Sequence, residues 1–378
     1  MRVVNFLGTV GLDNFCNGTS AFARDVIQGL EGRGCRVRFF SPSDLKSNSF
    51  ISSFFRKARW RVLDFTMRHR LDVFFVCNLM LTFFSFYFFL RKKNLNNLFF
   101  CNDVLCAQVA LLLSKEDVFL VTHFIAPPWD EFVRGGYIER NSFGYRMLRK
   151  WMLSIFNNKR IKYIFVSEAT KSLVSQFVKH NNLCGEVIYN GITVECLGKS
   201  SLGHLAGKKY IINVGALCPN KNQERFIKIA AVLSRKDPNL YFVLVGDGDQ
   251  SYRSRLVVFK GLLNKEETHE AISMAELYFH TSLVDNTPRV LIESMAYGVV
   301  TCCIEYGHAY EIIGKDSSLI FSVNEGDTPI ADKIYQLLIN SQVMGFKRAE
   351  QSKCFSEKFS SEKMIDSING YLFNNKHR

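Results

Sequence analysis

The sequence predicts an α/β protein built from two domains that each contain a parallel sheet. Its 378 residues are too many for one ordinary core and about right for two such domains. Apolar runs of strand length alternate with helical patterns along the chain, which is typical of parallel sheets covered by helices on both faces. A segment rich in Gly and Ser, LGKSSLGHLAGKK at 197–209, separates two series of these elements. We therefore expect two Rossmann-like halves joined near residues 190–209.

The elements of each half follow from the pattern of apolar residues. The first half contains strands expected at 3–7, 37–40, 98–101, 118–122 and 163–166, and a first helix at 21–30 that Gly32 and Gly34 end. The second contains strands expected at 210–215, 240–246, 277–282 and 299–304, with helices at 223–233, 266–274 and 288–297.

Charge and cysteine content limit the function classes. A formal net charge of +13 indicates an anionic partner: nucleic acid, anionic lipid or a phosphorylated ligand. The 11 cysteines form no CxxC pair, which favours reduced, buried thiols in a cytosolic protein. The first residues read as a β-strand and are too short an apolar run for a signal peptide. A dinucleotide-dependent oxidoreductase is disfavoured because GxGxxG is missing, and no nucleic-acid-binding motif occurs.

Three segments raise the question of a membrane. Residues 73–90 are almost wholly apolar between basic flanks, at the lower limit of length for a bilayer span. Because Asn78, Thr82 and Ser85 interrupt the run, we favour a buried or membrane-facing element over a true span. Segments 54–70 and 145–162 alternate basic and large apolar residues. Each fits either a helix at an anionic membrane surface or a core-packed helix with a solvated basic face.

Several loops at expected strand ends suit a phosphate. Gly18 belongs to a Gly-rich loop between the first strand and the first helix, where the backbone can approach a diphosphate. Lys221 follows a strand by a short loop and can reach an anion. Gly246 ends another strand in VGDGD, where we favour a plain turn over a metal-binding Asp-x-Asp. Such loops gather ligands at the carboxyl ends of parallel strands.

The stretch TSLVDNTPRVLIESMAYG, residues 281–298, carries two carboxylates eight positions apart. Thr287 is expected to cap a helix whose first turn contains Pro288. Asp285 then lies just before the helix N-terminus and Glu293 roughly 8 Å along the helix. Carboxylates placed in this way can accept hydrogen bonds from hydroxyls at two ends of one ligand.

Taken together, these motifs resemble the retaining GT-B glycosyltransferases of family four. Asp285-x7-Glu293 followed by SMAYG resembles that family's acidic-x7-Glu signature. Further similar motifs, in order, are VTHFIAP, VSEAT, VIYNGITVECL, VGALCPNKN, VGDG, FKGLL and YGHAYEII. The similarity is dense from 160 to 315 and thin from 45 to 100. Departures are Asp at 285 for the usual Glu, Ala216 for the usual Arg, and His308 for a common Gly.

The resemblance implies roles for individual residues. His123 and Asp285 would be catalytic, with Asp285 contacting the hydroxyls of the donor sugar and Glu293 holding the ribose. The remaining donor-binding residues would be Gly18, Lys221, Gly246, Leu262, Leu263, Asn286, Thr287, Arg289 and Val290. The resemblance also implies a GT-B fold with an acceptor domain at 1–189, a donor domain at 190–357, and a C-terminal helix at 358–378 that rejoins the first domain.

The implied function is a metal-independent, retaining hexosyl transfer from a nucleotide sugar, a UDP- or GDP-sugar, with no other cofactor. The acceptor would be a glycan or lipid-linked glycan in bacterial surface-polysaccharide or lipopolysaccharide synthesis. The expected location is cytoplasmic and peripheral, on the inner face of the plasma membrane, with an anionic membrane surface as partner and no nucleic acid. The alternative is a basic membrane- or nucleic-acid-binding protein on the same scaffold without transferase activity.

Overall fold

The computed structural model describes residues 2–9, 12, 18–46, 72–124, 126–194, 207–249, 254–285, 287–314 and 317–374. The basic segment 54–70, most of the linker 197–209 and the predicted site residue Asn286 lie outside these ranges. The chain divides into two compact units, which are described separately. Unit 1 comprises Met1–Tyr189 with Ile365–Arg378, and unit 2 comprises Asn190–Met364. The C-terminal helix therefore changes unit at residue 364.

Unit 1 contains a six-stranded parallel sheet whose strand order is β2-β1-β3-β4-β5-β6. The strands are β1 (Arg2–Leu7), β2 (Cys35–Phe40), β3 (Phe99–Cys101), β4 (Val118–Thr122), β5 (Ile161–Phe165) and β6 (Gly185–Val187). Helices are α1 (Gly18–Gly32), α2 (Asp72–Arg91), α3 (Val104–Leu113), α4 (Pro128–Arg134), α5 (Phe143–Phe156) and α6 (Glu168–Ser175). The chain runs outward from β1 in both directions, so the strand order reverses between β1 and β3.

Two helices of unit 1 show how the sequence determines their packing. α5 buries Leu148, Met152 and Ile155 at helical spacing and exposes basic residues such as Arg149 on the opposite face. α5 therefore packs one face on the core and leaves its basic residues exposed on the other face. α2 is apolar on all sides, and although it is long and apolar enough to cross a membrane, it packs against α3 and α5.

Unit 2 repeats the architecture with the order β12-β11-β10-β7-β8-β9. Its strands are β7 (Tyr210–Val214), β8 (Tyr241–Val245), β9 (Val258–Gly261), β10 (Leu277–His280), β11 (Val300–Ile304) and β12 (Ile320–Phe321). The helices are α7 (Gln223–Lys236), α8 (Lys265–Ser273), α9 (Arg289–Ala296), α10 (Ala309–Ile313), α11 (Asp327–Ile339) and α12 (Ser341–Cys354), and α13 (Ser361–Asn374) begins in unit 2 and continues into unit 1. The order reverses between β7 and β10. The predicted α/β class is confirmed.

Glycines let two loops of unit 2 approach each other closely. Gly246 has φ 149°, and a Cβ there would lie 1.9 Å from the carbonyl oxygen of Gly215. Gly248 has φ 139°, and its Cβ would lie 2.4 Å from the carbonyl oxygen of Leu217. The loops after β7 and β8 therefore touch backbone to backbone, which only glycine permits at these two positions.

Candidate functional site

Most of the predicted donor-binding residues lie at one edge of the unit 2 sheet. Lys221 follows β7, Gly246 follows β8, Leu262 follows β9 and Asp285 follows β10. Because these strands are parallel neighbours, their carboxyl ends share one edge of the sheet. Lys221 and Asp285 follow the two strands between which the order reverses, which is where open α/β sheets bind ligands.

The centre of this edge is an ion pair between Lys221 Nζ and Asp285 Oδ2. The two loops that carry the pair are held together by backbone-directed hydrogen bonds. Thr281 Oγ1 donates to the carbonyl of Lys221 at 2.9 Å, and the N–H of Leu283 donates to the carbonyl of Asn220 at 3.0 Å. Both side chains are half-buried, so the pair is fixed by its loops and partly shielded from water.

A buried histidine lies behind Asp285. His280 Nε2 is 3.3 Å from Asp285 Oδ2, and its Nδ1 is 3.2 Å from the hydroxyl of Tyr278. Burial would raise the pKa of Asp285, but the neighbouring His280 and the charge of Lys221 outweigh burial and hold that pKa at about 2. Burial lowers the pKa of His280. At neutral pH the site therefore holds an ionised carboxylate, a charged lysine and a neutral imidazole.

The second carboxylate has a similar arrangement behind it. Glu293 lies within α9 and is buried, with its Oε1 3.7 Å from His269 Nε2 and 3.9 Å from Arg289 Nε. The Nδ1 of His269 is 2.9 Å from the hydroxyl of Tyr297. Each predicted acidic residue is thus approached by the Nε2 of a buried histidine whose Nδ1 contacts a tyrosine hydroxyl. A histidine held in this way can present Nε2–H to the carboxylate and fix its orientation.

The start of α9 differs from the sequence prediction. Thr287 does not cap the helix; Pro288 occupies the N-cap position in an extended conformation, φ −64° and ψ 111°, and the helix begins at Arg289. Within the described ranges, the buried Oγ1 of Thr287 and the hydroxyl of Tyr306 have no hydrogen-bond partner. Buried polar atoms usually have partners, so orphaned atoms at the same sheet edge indicate that a ligand completes the site.

The remaining predicted residues of unit 2 border this edge. Leu262 is 69% exposed, and Leu263 and Val290 are half-buried. Ala216 is exposed and brings no charge to the loop after β7. Asp247 Oδ1 accepts a hydrogen bond from the N–H of Gly248 at 2.8 Å, within a turn. Among the described residues, no group of three His, Cys, Asp or Glu side chains could hold a metal ion.

His123 and Gly18 belong to unit 1. Gly18 is the exposed first residue of α1, and His123 follows β4. Asn102 Nδ2 donates to the carbonyl of Thr19 at 3.3 Å, which turns Asn102 Oδ1 toward His123 Nε2 at 2.8 Å. Because Oδ1 can only accept, Nε2 carries the proton and Nδ1 keeps a lone pair. Burial lowers the pKa of His123 to about 4, so the ring is neutral near pH 7.

Sequence reasoning missed the histidines and tyrosines behind the two acids. The strand LYFH places Tyr278 and His280 two residues apart, on one face of a fully buried strand. Two polar side chains on one face of a buried strand can be recognised in the sequence as candidate site residues. His269 lies in α8 and Tyr297 directly follows α9, and for this pair the sequence offers no comparable signal.

The chain is similar to known glycosyltransferases. Residues 199–354 match the family model described as Glycosyl transferases group 1. An uncharacterized glycosyltransferase of Haemophilus influenzae is 24% identical over 224 residues, covering 56% of this chain and 61% of the relative. The 2-deoxystreptamine N-acetyl-D-glucosaminyltransferase of Niallia circulans is 22% identical over 228 residues, covering 53% of this chain and 59% of the relative. The matches thus span under two thirds of these curated relatives.

Solved structures are similar over nearly the whole chain. Anabaena Alr3699/HepE in complex with UDP-glucose has a TM-score of 0.68 at 17% identity, covering 99% of this chain and 100% of that protein. Sucrose-phosphate synthase of Thermosynechococcus elongatus has a TM-score of 0.71 at 15% identity, covering 99% of each chain. The fold is that of GT-B glycosyltransferases, and residues 199–354 are similar to the glycosyl transferases group 1 family.

Proposed function

We propose that this chain is a retaining glycosyltransferase that moves a hexose from a UDP- or GDP-sugar to an acceptor hydroxyl. The observation that carries the proposal is the Lys221–Asp285 pair at the strand reversal of a glycosyl transferases group 1 domain, with Glu293 on the following helix. The resemblance to HepE, crystallised with UDP-glucose, supports a nucleotide-sugar donor.

We propose that each group contacts a different part of the donor. Lys221 and the first N–H groups of α9 face the diphosphate, since a helix N-terminus favours an anion. Glu293 accepts from the ribose hydroxyls and Asp285 from those of the hexose. The base lies against the exposed Leu262. The other donor contacts in this proposal are Gly18, Gly246, Leu263, Asn286, Thr287, Arg289 and Val290.

In the reaction the bond between the anomeric carbon and the diphosphate oxygen breaks, and a bond to the acceptor oxygen forms. Negative charge develops on the leaving diphosphate, where Lys221 and the helix N-terminus stabilise it. We propose that no metal ion is needed, because these groups supply the positive charge. His123, neutral and with a lone pair on Nδ1, is the second catalytic residue of this proposal.

A thermal-shift screen tests the donor site. UDP, GDP and their hexose derivatives are added with and without EDTA, and one nucleoside diphosphate series should raise the melting temperature regardless of EDTA. Lys221→Ala should remove the shift. Lys228→Ala is the matched control, because Lys228 also belongs to unit 2 and pairs with Glu224 at 2.7 Å on an exposed helix face. The proposal fails when no nucleotide stabilises the protein, or when both variants respond as the parent does.

For the acceptor, we propose a glycan or lipid-linked glycan of bacterial surface-polysaccharide or lipopolysaccharide synthesis, met at the cytoplasmic face of the plasma membrane. The support is the outer face of α2, where Phe74, Leu81, Phe84 and Phe88 recur at helical spacing and are exposed. The exposed Arg91, Lys92 and Lys93 follow this face. Since the other face of α2 packs within unit 1, α2 lies on the membrane surface in this proposal and does not span it.

Sedimentation with vesicles tests this location. Binding to vesicles that contain anionic phosphatidylglycerol should exceed binding to neutral phosphatidylcholine and weaken as salt rises. Phe84→Ser with Phe88→Ser should release the protein, whereas Phe346→Ser, which alters an equally exposed Phe of α12, should not. Equal retention on neutral vesicles, or extraction only by detergent, would contradict peripheral binding. The comparisons do not favour the alternative of a basic scaffold protein without transferase activity.

A further inference from the structure

Unit 1 contains a cavity of about 500 Å³ at its own strand reversal, between β1 and β3. Its lining falls into two chemical groups. The strand ends contribute polar residues, Thr9 after β1, Asn102 and Asp103 after β3, and His123 after β4. The apolar lining comes from α2, α5 and the segment around α4: Phe75, Leu79, Phe83, Phe124, Phe132 and Met152.

We infer that this cavity binds the apolar chain of an amphiphilic acceptor whose hydroxyl-bearing head lies at His123. The inference rests on the proposed transferase function and names the substrate class that the acceptor side selects. A cavity of this volume lies within the range of small-molecule sites. Polar lining residues away from the strand ends are Thr19, Asn78, Thr82 and Glu131, but most of the lining is apolar, whereas a soluble sugar would need polar partners around most of its surface. An apolar chain gains by leaving water for such a lining.

Asn78 is an independent sign that a ligand completes the cavity. It lies on α2, lines the cavity and is 4% exposed, and its Oδ1 has no hydrogen-bond partner among the described residues. Thr82, one turn further on, is satisfied, because its hydroxyl donates to the carbonyl of Asn78 at 2.8 Å. An orphaned amide oxygen in an apolar wall is unfavourable, so we assign it to a hydrogen-bond donor on the acceptor.

The two faces of α2 connect the cavity with a lipid surface. Phe83 lines the cavity and is 5% exposed, while its neighbour Phe84 is 55% exposed on the outer face. This one helix therefore separates the cavity from the surface proposed to meet the membrane. An acceptor that comes from this membrane carries an apolar chain, whereas a freely soluble glycan does not.

Calorimetric titration of the intact protein with alkyl glucosides tests the inference. Methyl, hexyl and decyl glucoside are used below their micelle-forming concentrations. Binding should saturate at one site, and affinity should rise about fourfold per added methylene. The heat-capacity change should become more negative as the chain lengthens, because apolar area is buried. Chain-length-independent binding, or binding that never saturates, would overturn the inference.

Two substitutions of the same kind locate the site. Phe83→Trp fills the cavity and should abolish decyl glucoside binding, whereas Phe84→Trp, one residue away on the exposed face, should leave it unchanged. Should Phe83→Trp not fold, Leu79→Trp repeats the test at a half-buried lining position. Unchanged binding in a folded cavity variant overturns the inference. UDP and GDP titrations of the same samples report on the proposed transferase function separately, since their site lies in unit 2.

Discussion

Replacing Asp285 by Asn should lower the Kd of a free nucleoside diphosphate. The nucleotide sugar should then bind more weakly relative to the free diphosphate. Lys221 is paired with Asp285. A diphosphate must therefore compete with the carboxylate for the lysine and also approach that negative charge. Asn removes both obstacles but can no longer accept charge-assisted hydrogen bonds from the hexose hydroxyls.

The magnitude follows from the pair itself. The pKa of Asp285 is lowered from 3.8 to about 2, which corresponds to roughly 2–3 kcal/mol of net stabilisation of the carboxylate by its neighbours. A phosphate about 8 Å from the carboxylate is repelled by about 2 kcal/mol at an effective dielectric of about 20. We expect a net gain of about 1–2 kcal/mol, a roughly 5- to 30-fold lower Kd for the diphosphate.

Calorimetry with UDP, GDP and their hexose conjugates measures this effect, and a double-mutant cycle with Lys221→Ala assigns it. The gain from Asp285→Asn should shrink in the Lys221→Ala background, because the competition for lysine no longer exists. Equal weakening of diphosphate and conjugate by Asp285→Asn would refute the reasoning. A lowered pKa contributes stability that is present above pH 3.8 and lost as pH falls through about 2. The variant should thus be less stable at pH 7, and the difference should narrow in acid.

Three other predictions concern single residues. Glu293→Gln should weaken the diphosphate and its conjugate alike by about 1.5–3 kcal/mol in calorimetry, because a charge-assisted hydrogen bond to the ribose is lost. Gly246→Ala should lower the free energy of unfolding by more than about 2 kcal/mol in urea, since its Cβ would lie 1.9 Å from the carbonyl oxygen of Gly215. Gly345→Ala, in a helix with nothing within 4 Å, should instead stabilise by about 0.5–1 kcal/mol. The pKa of His123 is about 4, below its usual 6.5, so as the pH falls His123 is protonated in the unfolded state before it is protonated in the folded state. This difference destabilises the fold between pH 6.5 and 4, and His123→Asn should therefore reduce the loss of thermal stability over that range.

Periodicity predicted the fold because both sheets are buried and parallel, so each strand reads as a continuous apolar run. The strand β9 was not predicted, since it is four residues long and Lys260 and Gly261 interrupt its apolar pattern. The Thr287 cap was wrong because Pro288 stays extended and delays the helix by one residue. The cap error concerns the end of a helix, where a single backbone angle determines the first helical residue and the hydrophobic pattern gives no information.

The site could be predicted only where its spacing is local. Asp285 and Glu293 share one loop and helix, so eight positions along the chain become a fixed distance. Contacts made by folding, such as His269 behind Glu293, have no local signature. The faces of α2 could not be assigned either, because the helix is apolar on all sides and only packing selects the face that lines the cavity.

The close contact of the Gly246 turn with Gly215 bears on how donor preference can change in evolution. The backbone of these two loops is fixed by a glycine that tolerates no side chain, so their shape cannot drift without loss of the fold. Variation is left to the exposed side chains beside them, Ala216 and Leu262. Under the proposed function, substitutions at these two positions would alter the preference for one nucleotide sugar over another at little cost in stability, because the loop backbone stays constant.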